Sequence, residues 1–182
     1  LTLCKNMFND FVSLIFPQIC AACGNSLYKN EETICTHCRY HLPKTGFHLI
    51  NENPVAKMFW GRVNIYSAAS YYAFNKGGKV QHLIHELKYK NQQEIGQTIG
   101  KLYGSDLKNS ALFNTVNCII PVPLHAKKKK QRGYNQSELF ANGLAESMCI
   151  EKNFDTLYRV VETETQTKKS RFERWENVKS IF

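Results

Sequence analysis

The sequence predicts an α/β domain built on a parallel sheet, preceded by a small four-cysteine zinc ribbon. Three observations carry this. After residue 64, strand-like and helix-like segments alternate, the signature of βαβ units. The apolar run Val116–Val122 ends in Pro121-Val122-Pro123, as a buried parallel strand does where it stops at a loop. Two Cys-x-x-Cys hooks, Cys20/Cys23 and Cys35/Cys38, lie close together in the N-terminal quarter.

Taken in order, residues 1–17 read as an amphipathic helix. Leu3, Met7, Phe11, Leu14 and Ile15 form its apolar side, Asn6, Asn9, Asp10 and Ser13 the polar one, and Pro17 stops it. Packing of that face on the protein's own core is preferred over a membrane or partner role. The ribbon spans 18–48. Each hook presents two thiolates, and Gly24 allows the tight turn around Cys20-Ala-Ala-Cys23. Together Cys20, Cys23, Cys35 and Cys38 make a closed tetrahedral site, so its Zn2+ is structural. Iron in the same cage is chemically accessible, and a redox pair would call for one hook beside a βαβ unit. His37 and His41 read as surface residues. Cys4, Cys118 and Cys149 stand alone; with an odd total of seven cysteines, they indicate a reducing, cytoplasmic setting rather than a disulfide framework.

Residues 49–64 read as a connector with Pro54 and Gly61. The sheet domain then runs from 65 to 182. Ile65–Phe74 is a strand candidate and Asn75-Lys-Gly-Gly78 a turn. Val80, Leu83, Ile84 and Leu87 recur at helical spacing. His82 and His85 share that helix, but no third metal ligand accompanies them. Ile95, Ile99, Leu102 and Tyr103 mark a second helix. On it, Gly96, Gly100 and Gly104 form a stripe that lets another backbone approach. After the strand at Val116–Val122 comes a basic loop. Asn135 then caps a helix reaching about residue 149, with Glu138 completing a capping box. Thr156–Val161 is a further strand candidate. Residues 162–177 are polar, basic and aperiodic.

The composition is globular: 182 residues, 43% hydrophobic and 21% charged, which excludes collagen-like and disordered classes. No apolar stretch approaches the ~18 residues of a membrane span. The net charge of +9 points to phosphate-bearing partners. Two stretches concentrate it. In Ile119–Gln136 a strand end, a turn and a helix N-terminus come together, with Lys127–Lys130 and Arg132 beside Gly133. Ligands of open α/β sheets bind at such an edge, and a helix N-terminus attracts anions. The bland alternative is a solvated lysine run. The second stretch holds Lys168, Lys169, Arg171 and Arg174, either a mobile loop closing over an anion or a plain surface loop. Tyr134, Phe172 and Trp175 among these charges would also suit stacking on single-stranded nucleic acid.

These residues resemble the ComF (competence protein F) family of phosphoribosyltransferase-like proteins. The shared features are the helix ending in Phe16-Pro17, the ribbon, Leu87-Lys-Tyr89, Pro121-Val-Pro-Leu-His125, Arg132-Gly-Tyr-Asn-Gln136, Gln166-Thr167 with Arg171 and Arg174, and Asn177-Val178. Their order holds over almost the whole chain. The resemblance implies a type I phosphoribosyltransferase fold with a phosphoribosyl pyrophosphate site that uses Mg2+. It implies a pyrophosphate loop over 123–136, with Pro123, His125, Gly133, Tyr134, Asn135 and Gln136 as binding residues. It implies Arg132, Lys168, Arg171 and Arg174 as the charges that clamp phosphate in catalysis. The family's acidic pair followed by Thr-Thr-Gly, which holds the ribose and 5′-phosphate, is absent. The expectation is therefore a C-terminally incomplete domain that does not catalyse alone. The family's link to DNA uptake and natural transformation implies two readings. One is phosphoribosyl transfer. The other is a non-enzymatic platform for single-stranded DNA or a competence helicase.

Overall fold

The computed structural model describes residues 16–162. The chain forms two compact units, divided between Ile95 and Gly96.

The first unit begins with the first cysteine hook. Cys20 N–H donates to Asn25 O at 2.7 Å and Gly24 N–H to Cys20 O at 2.8 Å, with Gly24 in the left-handed region at φ 76°. An antiparallel bridge between Ile19 and Ser26 closes this knuckle. The second hook opens helix α1 (Thr36–His41), for which Cys35 is the N-cap. A 3-10 turn at Phe47–Leu49 follows, then the single turn α2 (Pro54–Lys57) and helix α3 (Lys79–Tyr89). Val80 and Leu83 bury the expected face of α3, while Ile84 stays exposed.

Asn53 organises the middle of this unit. It is 1% exposed. Its Oδ1 accepts from the Val55 and Ala56 N–H groups and so caps α2. Its Nδ2 donates to the carbonyls of Ile50 and Ala68 at 2.7 Å each, and Phe47 O at 3.2 Å shares one of its two hydrogens. Every hydrogen-bonding position of a buried amide is thereby used, which is what makes such burial affordable.

Ile65–Phe74 does not enter the parallel sheet. It runs antiparallel to 43–45: Tyr72 bridges Lys44, Thr45 N–H donates to Tyr71 O, and Ala73 N–H donates to Pro43 O. Ile65, Tyr66 and Phe74 remain exposed, so the segment lacks the two-sided burial of a parallel strand.

The second unit holds helix α4 (Glu94–Lys108) from its third residue on, strand β1 (Cys118–Ile119), helices α5 (Ala126–Arg132) and α6 (Gln136–Met148), and strand β2 (Glu151–Lys152). β1 and β2 pair in parallel, Cys118 opposite Glu151 and Ile119 opposite Lys152. The predicted parallel pairing across a helical crossover is therefore present. Among the described residues it comprises these two strands.

Two boundaries differ from expectation. The second strand is Glu151–Lys152, not Thr156–Val161. Cys149 ends α6 in the left-handed region, and the chain passes at once into pairing through Glu151 N–H to Asn117 O and Asn153 N–H to Ile119 O. Tyr158, Val160 and Val161 are left exposed, so β-branched composition without a partner made no strand. The expected basic loop after Pro123 contains helix α5. Lys, Gln and Arg are good helix formers, and Gly133 at φ 87° terminates the turn.

The glycine stripe serves the contact between α4 and α6. A Cβ on Gly100 would lie 2.3 Å from Phe140 O, and one on Gly143 would lie 2.1 Å from Gln97 O. Only hydrogens fit between these backbones. Around this contact Tyr103, Leu107, Ala141, Ala145 and Met148 are buried.

Candidate functional site

The four predicted cysteine ligands converge. The Sγ atoms of Cys20, Cys23, Cys35 and Cys38 lie within 4.8 Å of one another. Cys23 Sγ and Cys35 Sγ are 3.8 Å apart. A tetrahedral zinc with bonds of about 2.3 Å needs sulfur separations of roughly 3.8 Å, so the donor set fits such an ion. Cys20 is 1% and Cys38 0% exposed, which closes the site to solvent on their side.

The backbone prepares the sulfurs. Cys20 Sγ accepts from the N–H groups of Ala22 (3.4 Å) and Cys35 (3.3 Å), and Cys35 Sγ accepts from Cys38 N–H (3.4 Å). Such N–H···S bonds orient a thiolate and spread its charge. Burial works to raise the Cys20 thiol. The N–H groups of Cys35, Ala22 and Cys23 oppose it and bring the group down to about 7. Burial instead pushes Cys35 and Cys38 upward. Metal capture must therefore displace protons from those two sulfurs.

Supporting contacts at this centre escaped the sequence reading. Glu31 lies between the hooks; its carboxylate accepts from Tyr28 N–H at 2.9 Å and Thr36 N–H at 2.5 Å, fastening the start of α1. The Thr36 and Tyr28 amides hold this carboxyl below its ordinary value. From α3, the ring Nδ1 of His82 meets Ala21 O at 2.9 Å. His82 is thus tied to the knuckle backbone and also faces Glu86, 3.8 Å away. His37 and His41 stack with centroids 4.1 Å apart on the exposed side of α1, as surface residues.

The second predicted site runs from β1 to the start of α6. Pro123 is half-buried and His125 is the N-cap of α5. Arg132 closes α5, followed by Gly133 and the buried Tyr134 and Asn135. Asn135 fixes the turn: Nδ2 donates to Val122 O (3.1 Å) and Oδ1 accepts from Ser137 N–H (3.1 Å). The predicted cap at Asn135 is present. Its partner Glu138 departs from the reciprocal box, because its carboxylate takes the Asn135 side-chain amide and the ammonium of Lys129 (2.7 Å). Lys127 pairs with Glu162 at 2.9 Å, and that bond holds the Glu162 carboxyl low. The lysine run is therefore partly compensated. Two polar atoms at this turn are buried without a hydrogen-bond partner among the described residues: His125 Nδ1 and Gln136 Nε2. Lys168, Arg171 and Arg174 lie outside the described residues, as do all but the last two residues of the helix expected over 1–17.

The chain therefore combines a four-cysteine cluster able to hold a metal ion with a strand–turn–helix edge rich in cations. Its curated relatives carry matching names. It is 33% identical over 103 residues to "Competence protein F" of Haemophilus influenzae, and 27% identical over 168 residues to "DNA utilization protein YhgH" of Shigella flexneri. The first match covers 55% of this chain and 45% of the relative; the second covers 90% and 70%. The same protein of Escherichia coli K12 is 26% identical over 168 residues. These relatives support the ComF resemblance read from the motifs. It spans about half the length of the Haemophilus relative. No family model and no solved structure matches the chain. Among the described residues, no helix is long and apolar enough to cross a membrane.

Proposed function

We propose that this protein handles incoming DNA in the cytoplasm, as a ComF-type phosphoribosyltransferase-like protein with a structural zinc. The observation that carries the reading is the kinship with relatives named for competence and DNA utilization. The turn Pro123–Gln136 is its phosphate site. Support comes from the parallel pair leading into that turn, the α6 N-terminus, Arg132, and the unsatisfied His125 Nδ1 and Gln136 Nε2. In this reading the ligand is phosphoribosyl pyrophosphate with Mg2+. Departure of pyrophosphate is eased by positioning and by charge from Arg132 and, as the family resemblance implies, from Lys168, Arg171 and Arg174. The thiolate cage has no open position and takes no part in chemistry.

Titration calorimetry with magnesium pyrophosphate tests the site. Saturable binding is expected, weakened about tenfold or more by Arg132→Ala, since a charge-assisted bond contributes roughly 1.5–3 kcal/mol. Heat that is absent, or unchanged in that variant, rejects the assignment. A second reading, a non-enzymatic platform for single-stranded DNA or a competence helicase, is favoured by the net charge of +9.

A further inference from the structure

The segment just after α2 combines exposed aromatic rings with an uninterrupted run of positive charge. Between Glu52 and Glu86 the chain has no acidic residue, yet it carries Lys57, Arg62, Lys76 and Lys79. Within it Phe59 is 37% exposed, Trp60 56% and Tyr66 78%. Exposed rings also occur elsewhere in this unit, but here three of them share a short stretch with cations and no carboxylate.

The turn is rigid. Phe59 N–H donates to Ala56 O at 3.0 Å, Arg62 N–H to Phe59 O at 3.0 Å, and Val63 N–H to Phe59 O at 3.1 Å, with Gly61 at φ 69°. The cap and carbonyl contacts of Asn53 anchor its base. The Lys57 ammonium sits 5.5 Å from the centre of the Trp60 ring.

From this we infer that the turn Lys57–Tyr66 is a binding surface for single-stranded DNA, with Trp60 and Phe59 stacking on bases and Lys57 on phosphate. A nucleotide strand offers a flat ring and an anion side by side, which matches an exposed indole with a cation at its face. Lipid fits less well, because burying Trp60 in hydrocarbon would draw the adjacent ammonium out of water. The inference rests on the DNA-handling reading above and adds a site remote in sequence from the phosphate turn.

The test uses Trp175→Phe, which leaves Trp60 as the one tryptophan of the chain. Titration with a dT oligonucleotide should quench its fluorescence saturably. In the otherwise unchanged chain, Trp60→Ala should weaken oligonucleotide binding about tenfold, within the range of one stacked base. Lys57→Gln should lower the slope of log K against log salt by about 0.7, as for one phosphate on a single strand. Circular dichroism and melting should match the parent in both. If the parent binds DNA and both variants bind equally well, this surface is wrong while the DNA-handling reading stands. If the parent binds no DNA, both fall. Two other outcomes overturn the inference in favour of a different occupant. One is a blue shift of Trp60 with phosphatidylglycerol vesicles and no response to dT. The other is self-association in sedimentation that Trp60→Ala abolishes.

Discussion

Replacing Gly100 with alanine sets two physical effects against each other. In an open helix the change gains about 1 kcal/mol from propensity alone. Here the new Cβ would stand 2.3 Å from Phe140 O, 3.0 Å from Gly143 Cα and 3.0 Å from Leu144 N, all of them backbone atoms of α6. Backbone cannot rotate aside as a side chain can, so α4 and α6 must separate. Overpacking of this kind costs roughly 1–3 kcal/mol, and contact this close places it at or beyond the upper end. The net expectation is destabilisation by about 2 kcal/mol, seen as a melting temperature lower by about 4–8 °C for a chain of this length. Gly143→Ala should act similarly, since its Cβ would lie 2.1 Å from Gln97 O. The double variant should cost less than the sum, because helices already parted by one methyl accommodate the second. Thermal and urea unfolding, followed by circular dichroism, give the values. A Gly100→Ala protein more stable than its parent would show that the helices do not touch as described.

Two further expectations concern the metal centre and alkaline pH. Cys38→Ser or Cys20→Ser should abolish stoichiometric zinc, measured by elemental analysis, and lower protection of the ribbon amides in hydrogen exchange; full zinc content in either variant contradicts the four-thiolate assignment. Tyr103 is raised to about 12, first by burial and then by the charge of Asp106. The folded state therefore holds this proton more tightly than the unfolded chain does. Its contribution is intact below about pH 10 and is lost as pH rises towards 12, on the order of 3 kcal/mol in all. Tyr103→Phe should flatten the stability curve across that window, and an unchanged slope would count against the burial of the hydroxyl.

The sequence made some of this plain for physical reasons. Cysteine hooks declare a metal centre through local spacing, and Cys20, Cys23, Cys35 and Cys38 do meet. Helices α3, α4 and α6 follow from apolar periodicity, and the Gly100 stripe from the backbone contact it permits. What escaped notice depends on partners distant in the chain. Asn53 looks like a polar loop residue until its three carbonyl acceptors are in place. The lysines of α5 have no apolar face to advertise a helix. Thr156–Val161 has strand-like composition, but Asn117 and Ile119 pair with the segment before it. The anion site is half legible: Asn135 announces the cap, while the engagement of Lys127 by Glu162 and of Lys129 by Glu138 depends on the fold.

The bond between His82 and Ala21 O has a consequence for the order in which the first unit assembles. The two residues stand 61 positions apart. The cysteine hooks, by contrast, are separated by a short loop whose closure costs little entropy. An ion can gather the hooks while the rest of the unit is still unformed. The carbonyl of Ala21 would then be in place to meet His82 of α3. An ion held by the four cysteines would act as a template, and α3 would join a surface already made rather than help to make it. In refolding, the knuckle amides should gain protection before those of Val80 and Leu83.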